Sequence, residues 1–180
     1  MIWEDKEIIS LCIQGKSFAQ KMLYDKYSKL FYAICCRYCK DKEDAQDILQ
    51  DAFLKIYRNL SQFKHEGSFE GWMKRIVVNT SIEHYRKQIN ILSFDDQLAT
   101  EDNTPYTVDE ISLDEAAILG LIQGLPNGFR MVFNMYVIEG YNHAEIAEKL
   151  GISEGTSKSQ LSRARALLQK KIEEMNKINL

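Results

Sequence analysis

Between Thr156 and Lys171 the chain carries five basic residues (Lys158, Arg163, Arg165, Lys170 and Lys171) and no acid. Laid out at about 100° per residue, Lys158, Ser159, Ser162, Arg163 and Ala166 share one side of a helix. Ser157, Leu161, Ala164, Leu168 and Ile172 share the other, facing a core. Long cations reach phosphates or base edges, while residues as small as Ser162 and Ala166 let a helix lie deep in a major groove. The chemistry offered is recognition of duplex DNA. A merely solvated basic helix would explain the charge but not what precedes it. Asn142, followed three residues later by Glu145, predicts a capping box. Gly151 predicts a left-handed helix stop, and Ser153 the cap of a second helix from Glu154. Two short helices about a tight turn, the second one basic, make a helix-turn-helix.

A second group lies in residues 42–60. Asp47, Gln50, Asp51 and Leu54 fall on one side, opposite a stripe of Ala45, Ile48, Leu49, Ala52, Phe53 and Ile56. An apolar residue among carboxylates on an outward face suits protein docking. The run DKEDAQD resembles a calcium loop only superficially, because Gln46 stands where the sharp turn needs glycine.

A third group lies in residues 68–88, where Arg75, Asn79, Ile82 and Arg86 form a stripe bordered by Trp72. The loop before it, FKHEGS, brings Phe63, Lys64, His65 and Ser68 alongside. Basic groups, an amide and aromatics together suit single-stranded or distorted nucleic acid, whose splayed bases need stacking surfaces and edge contacts. Phe69, Met73, Ile76, Val77 and Thr80 are expected inward, with Phe69 and Trp72 as ordinary core.

These groups need helices to position them, and the composition supplies helices. Only two prolines, Pro105 and Pro126, interrupt 180 residues, and both lie outside the long periodic stretches. Periodicity predicts helices over 5–14, 17–39, 42–60 and 68–88, and again over 115–123, 127–138, 143–150 and 154–175. Residues 90–112 lack sustained periodicity and collect Asp, Asn, Thr and Pro, as a linker does. The expected fold is all-α: two small helical domains joined by a flexible acidic linker, the C-terminal one containing the helix-turn-helix. The boundaries are 1–90, 91–113 and 114–180.

The net charge of −3 looks wrong for a DNA-binding protein until it is divided. Residues 1–90 hold 15 Lys/Arg against 12 Asp/Glu, residues 91–124 none against 8, and residues 125–180 hold 8 against 6. The acidity is concentrated in one segment between two mildly basic blocks, so the whole-chain charge says little about partners. No apolar run reaches membrane-spanning length, and the N-terminal MIWEDKEII lacks a signal-peptide pattern. The four cysteines, Cys12, Cys35, Cys36 and Cys39, are expected as reduced thiols packed in a core. Cys36 and Cys39 form a CxxC, but no second pair or clustered histidine completes a metal site; His65, His84 and His143 are widely separated.

Taken in series, these segments resemble the bacterial sigma factors of the extracytoplasmic-function (ECF) group within the sigma-70 family. DAQDILQDAFLKIYRNL is similar to their core-polymerase-binding helix, and FKHEGSFEGWMKRIVVNTSIEHYRK to their promoter-melting and −10-reading segment. LPNGFRMVFNMYVIEGYNHAEIAEKLGISEGTSKSQLSRARALL is similar to their −35-reading domain. The resemblance spans residues 8–172 apart from the linker. It implies an alternative sigma factor, a non-catalytic subunit that binds core RNA polymerase, directs it to −35/−10 promoters and assists opening.

It also implies roles residue by residue. Asp47, Gln50, Asp51 and Leu54 would meet the clamp coiled coil of the polymerase largest subunit. Phe63, Lys64, His65 and Ser68 would belong to the loop that accepts a flipped −10 base, with Asn79 closing the pocket and Arg75 and Arg86 beside it. Thr156, Lys158, Ser159, Ser162, Arg163 and Arg165 would meet the −35 element. The acidic linker would thread polymerase channels that otherwise hold RNA. The implied partners are core RNA polymerase, promoter DNA and an anti-sigma factor, in the bacterial cytoplasm, with no membrane insertion, metal or cofactor. Two positions depart from the family: Ser157 stands where an apolar residue is usual, and Met73 where Leu is.

Two other readings compete. A helix-turn-helix regulator with a helical sensing domain would bind its duplex without docking on polymerase. A small metal-dependent nuclease using the acids of 41–51 would need carboxylates converging on a pocket, whereas Asp47 and Asp51 lie on an outward helical face.

Overall fold

In a computed structural model of the chain, residues 5–92 and 113–178 are described. The acidic linker over 93–112 lies outside the described residues. The helices are α1 (Asp5–Ile13), α2 (Ser17–Tyr38), α3 (Lys42–Asn59), α4 (Phe69–Leu92), α5 (Leu113–Gln123), α6 (Asn127–Phe133), α7 (His143–Leu150) and α8 (Glu154–Ile178). A 3₁₀ turn, Leu60–Gln62, closes α3, and a π-turn, Asn134–Ile138, continues α6. No strand occurs among the described residues.

The N-terminal half is a bundle of α2, α3 and α4 with α1 laid against α2. Asp41 starts α3 by accepting a hydrogen bond from the backbone N–H of Asp44 at 2.7 Å, a cap that also places negative charge at the positive helix end. The stripe Ala45, Ile48, Leu49, Ala52, Phe53 and Ile56 is buried in full. It meets Leu23, Phe31, Met73 and Val77, all with no exposed surface. All four cysteines are buried and none is in a disulfide, and burial pushes the Cys35 thiol up to about 12.

The C-terminal half packs α6 and α7 on α8 around Met131, Met135, Ile146, Leu161 and Ala164. The two halves also touch. The core is continuous from Leu23 and Phe31 through Leu119, Met131 and Val132, and α5 and α6 lie on α2 while α7 lies on α4.

Polar side chains complete that contact. Gln123 Nε2 donates to the Cys36 carbonyl at 3.1 Å, and Asn134 Nδ2 to the Arg37 carbonyl at 2.7 Å. These carbonyls belong to the last turn of α2, which has no partners within the helix, so the C-terminal half supplies the cap of an N-terminal helix. The Glu139 carboxylate, 8% exposed, pairs with Arg37 at 2.9 Å and with Lys74 at 3.2 Å.

Four expectations need correction. Helix α4 runs to Leu92 rather than stopping at 88. Residues 127–138 are not one α-helix, since the chain changes to a π-turn at Asn134. Ile82 is 4% exposed and belongs to the core, not to the outward stripe of Arg75 and Arg86. Ile172 is 46% exposed, because α8 extends past the body of its domain there.

Candidate polymerase and nucleic-acid interfaces

The helix-turn-helix is set by local hydrogen bonds. Asn142 Oδ1 accepts from Glu145 N at 2.9 Å, and the Glu145 carboxylate accepts from Asn142 N at 2.8 Å. Gly151 ends α7 at φ 69°, ψ 34°, where a side chain would be strained. Ser153 Oγ accepts from Thr156 N at 3.0 Å and opens α8.

On α8, Ser157, Leu161 and Ala164 are buried, while Lys158, Ser159, Ser162, Arg163 and Arg165 are exposed. Thr156 is half-buried. Its hydroxyl lies 2.8 Å from that of Ser153, and the Ser159 hydroxyl donates to the Thr156 carbonyl at 3.0 Å. Both hydroxyls bond within the first turns of α8, while Lys158, Ser159, Ser162, Arg163 and Arg165 all face outward. Arg165 stands 5.8 Å from the Tyr136 ring centroid.

Helix α3 presents Asp47, Gln50, Asp51 and Leu54 outward, all exposed, with Leu54 at 50%. Asp47 and Asp51 are exposed, and among the described residues no group of three or more His, Cys, Asp or Glu is placed to hold the metal a nuclease would need.

The loop before α4 is anchored by aromatic packing. Phe63 is 8% exposed and lies 5.1 Å from Phe69 and 5.5 Å from Trp72, centroid to centroid. The Phe63 ring, expected to meet DNA, thus lies in the core beside the exposed loop residues. Lys64, His65 and Ser68 are exposed. His65 holds a left-handed φ of 57°, unusual for a residue with a Cβ, and its ring sits 4.9 Å from Phe63. Ser68 Oγ accepts from Gly71 N at 3.2 Å, capping α4. Arg75 and Arg86 are exposed and Asn79 half-buried. Asn79 Oδ1 accepts from Lys149 Nζ of α7 at 3.3 Å, so the C-terminal half touches the amide expected to read the melted strand.

Comparison with known proteins matches sigma-70 region 2 over residues 23–90 and sigma-70 region 4 over residues 115–168. The ECF RNA polymerase sigma factor SigW of Bacillus subtilis is 30% identical over 182 residues, covering 94% of this chain and 97% of the relative. This chain is an ECF sigma factor of the sigma-70 family. The ECF sigma factor SigM of Mycobacterium tuberculosis is 28% identical over 174 residues, covering 96% and 86%. The ECF sigma-E factor of Escherichia coli is 27% identical over 181 residues, covering 94% of each. Among solved structures, sigma factor RpoE of Bartonella quintana, crystallised with the anti-sigma factor NepR, superposes with a TM-score of 0.52 at 23% identity. It covers 88% of this chain and 98% of that one, a likeness of fold.

As a sigma factor the chain is a transcription-initiation factor, binding core RNA polymerase and directing it to −35/−10 promoters. A helix-turn-helix regulator without polymerase docking is set aside, because region 2 is matched as well as region 4 and the relatives above are sigma factors over nearly their whole length. Sequence reasoning overlooked the partners of the helix-turn-helix. Tyr136 and His143 stack at 4.6 Å, and His143 Nδ1 lies 2.9 Å from Ser157 Oγ. The sequence signal was the pairing of a polar Ser157 on a core-facing side with a histidine at the start of α7.

Proposed function

We propose that three surfaces divide the work of this sigma factor. Asp47, Gln50, Asp51 and Leu54 dock on core polymerase. Lys64, His65 and Ser68, with Arg75, Asn79 and Arg86, capture the melted −10 strand, while Phe63 supports their loop. Lys158, Ser162, Arg163 and Arg165, placed by Thr156 and Ser159, read the −35 duplex. The functional division is 1–90, 91–113 and 114–180. The subunit does no chemistry of its own: it acts by binding energy, in the cytoplasm where its polymerase works, and an anti-sigma factor is a further partner. The last point is supported by RpoE of Bartonella quintana, crystallised with such a protein.

The observation that carries the docking assignment is the outward face of α3. Its apolar stripe is wholly buried, so the fold has no use for Leu54 half in solvent among two carboxylates and an amide. An exposed apolar centre with a polar rim is the anatomy of a protein interface. Transcription in vitro with purified core polymerase tests it. Asp51→Arg should abolish promoter-directed transcription and polymerase binding, while the melting free energy stays within about 0.5 kcal/mol of wild type. A variant that melts normally and still binds core polymerase as wild type does would remove the assignment.

A further inference from the structure

We infer that His143 is a positioning residue for the −35-reading helix, acting on it through Ser157; this rests on the reading of α8 given above. Ser157 occupies a core-facing place on α8 beside Leu161 and Ala164, and it is fully buried. A buried hydroxyl is costly unless hydrogen-bonded. Here Ser157 Oγ lies 2.9 Å from His143 Nδ1.

The imidazole is itself held in place. Its ring stacks on Tyr136 with centroids 4.6 Å apart and planes at 25°. Tyr136 belongs to the π-turn Asn134–Ile138, which is closed by Glu139 N donating to the Asn134 carbonyl at 3.0 Å. Arg165, one of the outward cations, lies over the same tyrosine.

A run of contacts thus leads from the π-turn through Tyr136 and His143 to Ser157, the residue just before Lys158. An apolar contact at 157 would fill the space, but a hydrogen bond also has direction, so it ties the rotation of the first turn of α8 to the imidazole. Reading base edges tolerates only small displacements. The expected signature is therefore lost discrimination between sequences rather than lost affinity for DNA in general.

The test uses holoenzyme reconstituted from the full chain and core polymerase, binding a panel of promoter duplexes substituted through the −35 element. His143→Ala should lower discrimination on the order of tenfold, within the range of one base-reading contact. The salt slope should stay unchanged, because no phosphate contact is removed. His143→Asn should recover most of the discrimination, since its side-chain amide reaches the place of Nδ1. Ser157→Ala should reproduce the loss, and the double variant should be no worse than either single one, as expected of partners in one interaction. Where His143→Ala fails to fold, the Asn variant and Ser157→Ala carry the comparison.

The proposal is overturned by wild-type discrimination in His143→Ala and Ser157→Ala. It is equally overturned if His143→Ala weakens all duplexes alike with a smaller salt slope, which would make His143 a phosphate ligand. Arg163→Ala in the same panel reports on α8 itself. An unaltered profile there removes the −35 reading, and this inference with it, independently of what His143 does.

Discussion

At the scale of single residues, the assignments separate by what each side chain can lose. Arg163 is exposed, with nothing in the fold depending on it. Arg163→Ala should cost about 1–3 kcal/mol at one promoter position if it reads a base. Promoter variants bound at several salt concentrations check this, since a phosphate contact would instead flatten the salt slope. Asn79 offers both a donor and an acceptor, which suits the edge of an extruded base. Asn79→Ala should leave polymerase docking intact and lower open-complex yield, with partial rescue on a pre-melted template; permanganate footprinting reads both. Burial raises the Cys35 thiol to about 12 from an ordinary 9.0. In the unfolded chain this thiol ionises first, so the stability it contributes is full below pH 9 and declines as pH rises toward 12, at about 1.4 kcal/mol per pH unit per thiol. Denaturant melts between pH 8 and 11 should show that loss, and Cys35→Ala should soften it. The outward or inward sense of most residues was legible from spacing, Leu54 and Arg163 included. Ile82 was not, because α4 is packed by α2, α3 and α7 together, and a one-stripe wheel assumes a single neighbour.

Among the elements, boundaries marked by chemistry were the readable ones. Asn142 with Glu145, Gly151 and Ser153 each leave a capping signal in the sequence, and each cap forms. Asn142→Ala should therefore cost about 1 kcal/mol of stability, measured by urea unfolding, and should weaken −35 binding less than Arg163→Ala does. The π-turn left no such mark. A single extra residue in a helical turn changes the backbone without breaking apolar periodicity, so 127–138 reads as continuous helix. Its effect is on direction: Asn134 faces α2 while Tyr136 faces His143.

For the whole molecule, the contact between the halves was the part hidden from sequence, since it depends on side chains about 100 residues apart, such as Arg37 and Glu139. It also constrains the mechanism. Elements at −35 and −10 lie about 25 base pairs apart, or ~85 Å of duplex, whereas Lys149 of the −35 reader is 3.3 Å from Asn79. With Asn79 on the −10 strand as proposed, both could not be engaged in this arrangement, so the halves would part when promoter is read, and the face of α3 proposed for docking is exposed beforehand. Glu139→Lys sets a third cation against Arg37 and Lys74. It should disfavour the packed arrangement by about 3 kcal/mol, the lower end for a buried pair, because Lys74 is 41% exposed. Small-angle scattering should give about 16 Å for the packed chain and a larger radius for the variant, with helix content unchanged. The π-turn gives this opening a further meaning. One end of it grips the polymerase-docking half through Asn134, and its middle props the recognition helix through Tyr136. Thermodynamic linkage through a shared element runs both ways: to whatever extent grasping −35 DNA loosens the grip on α2, releasing α2 must tighten the grasp on −35 DNA by the same factor.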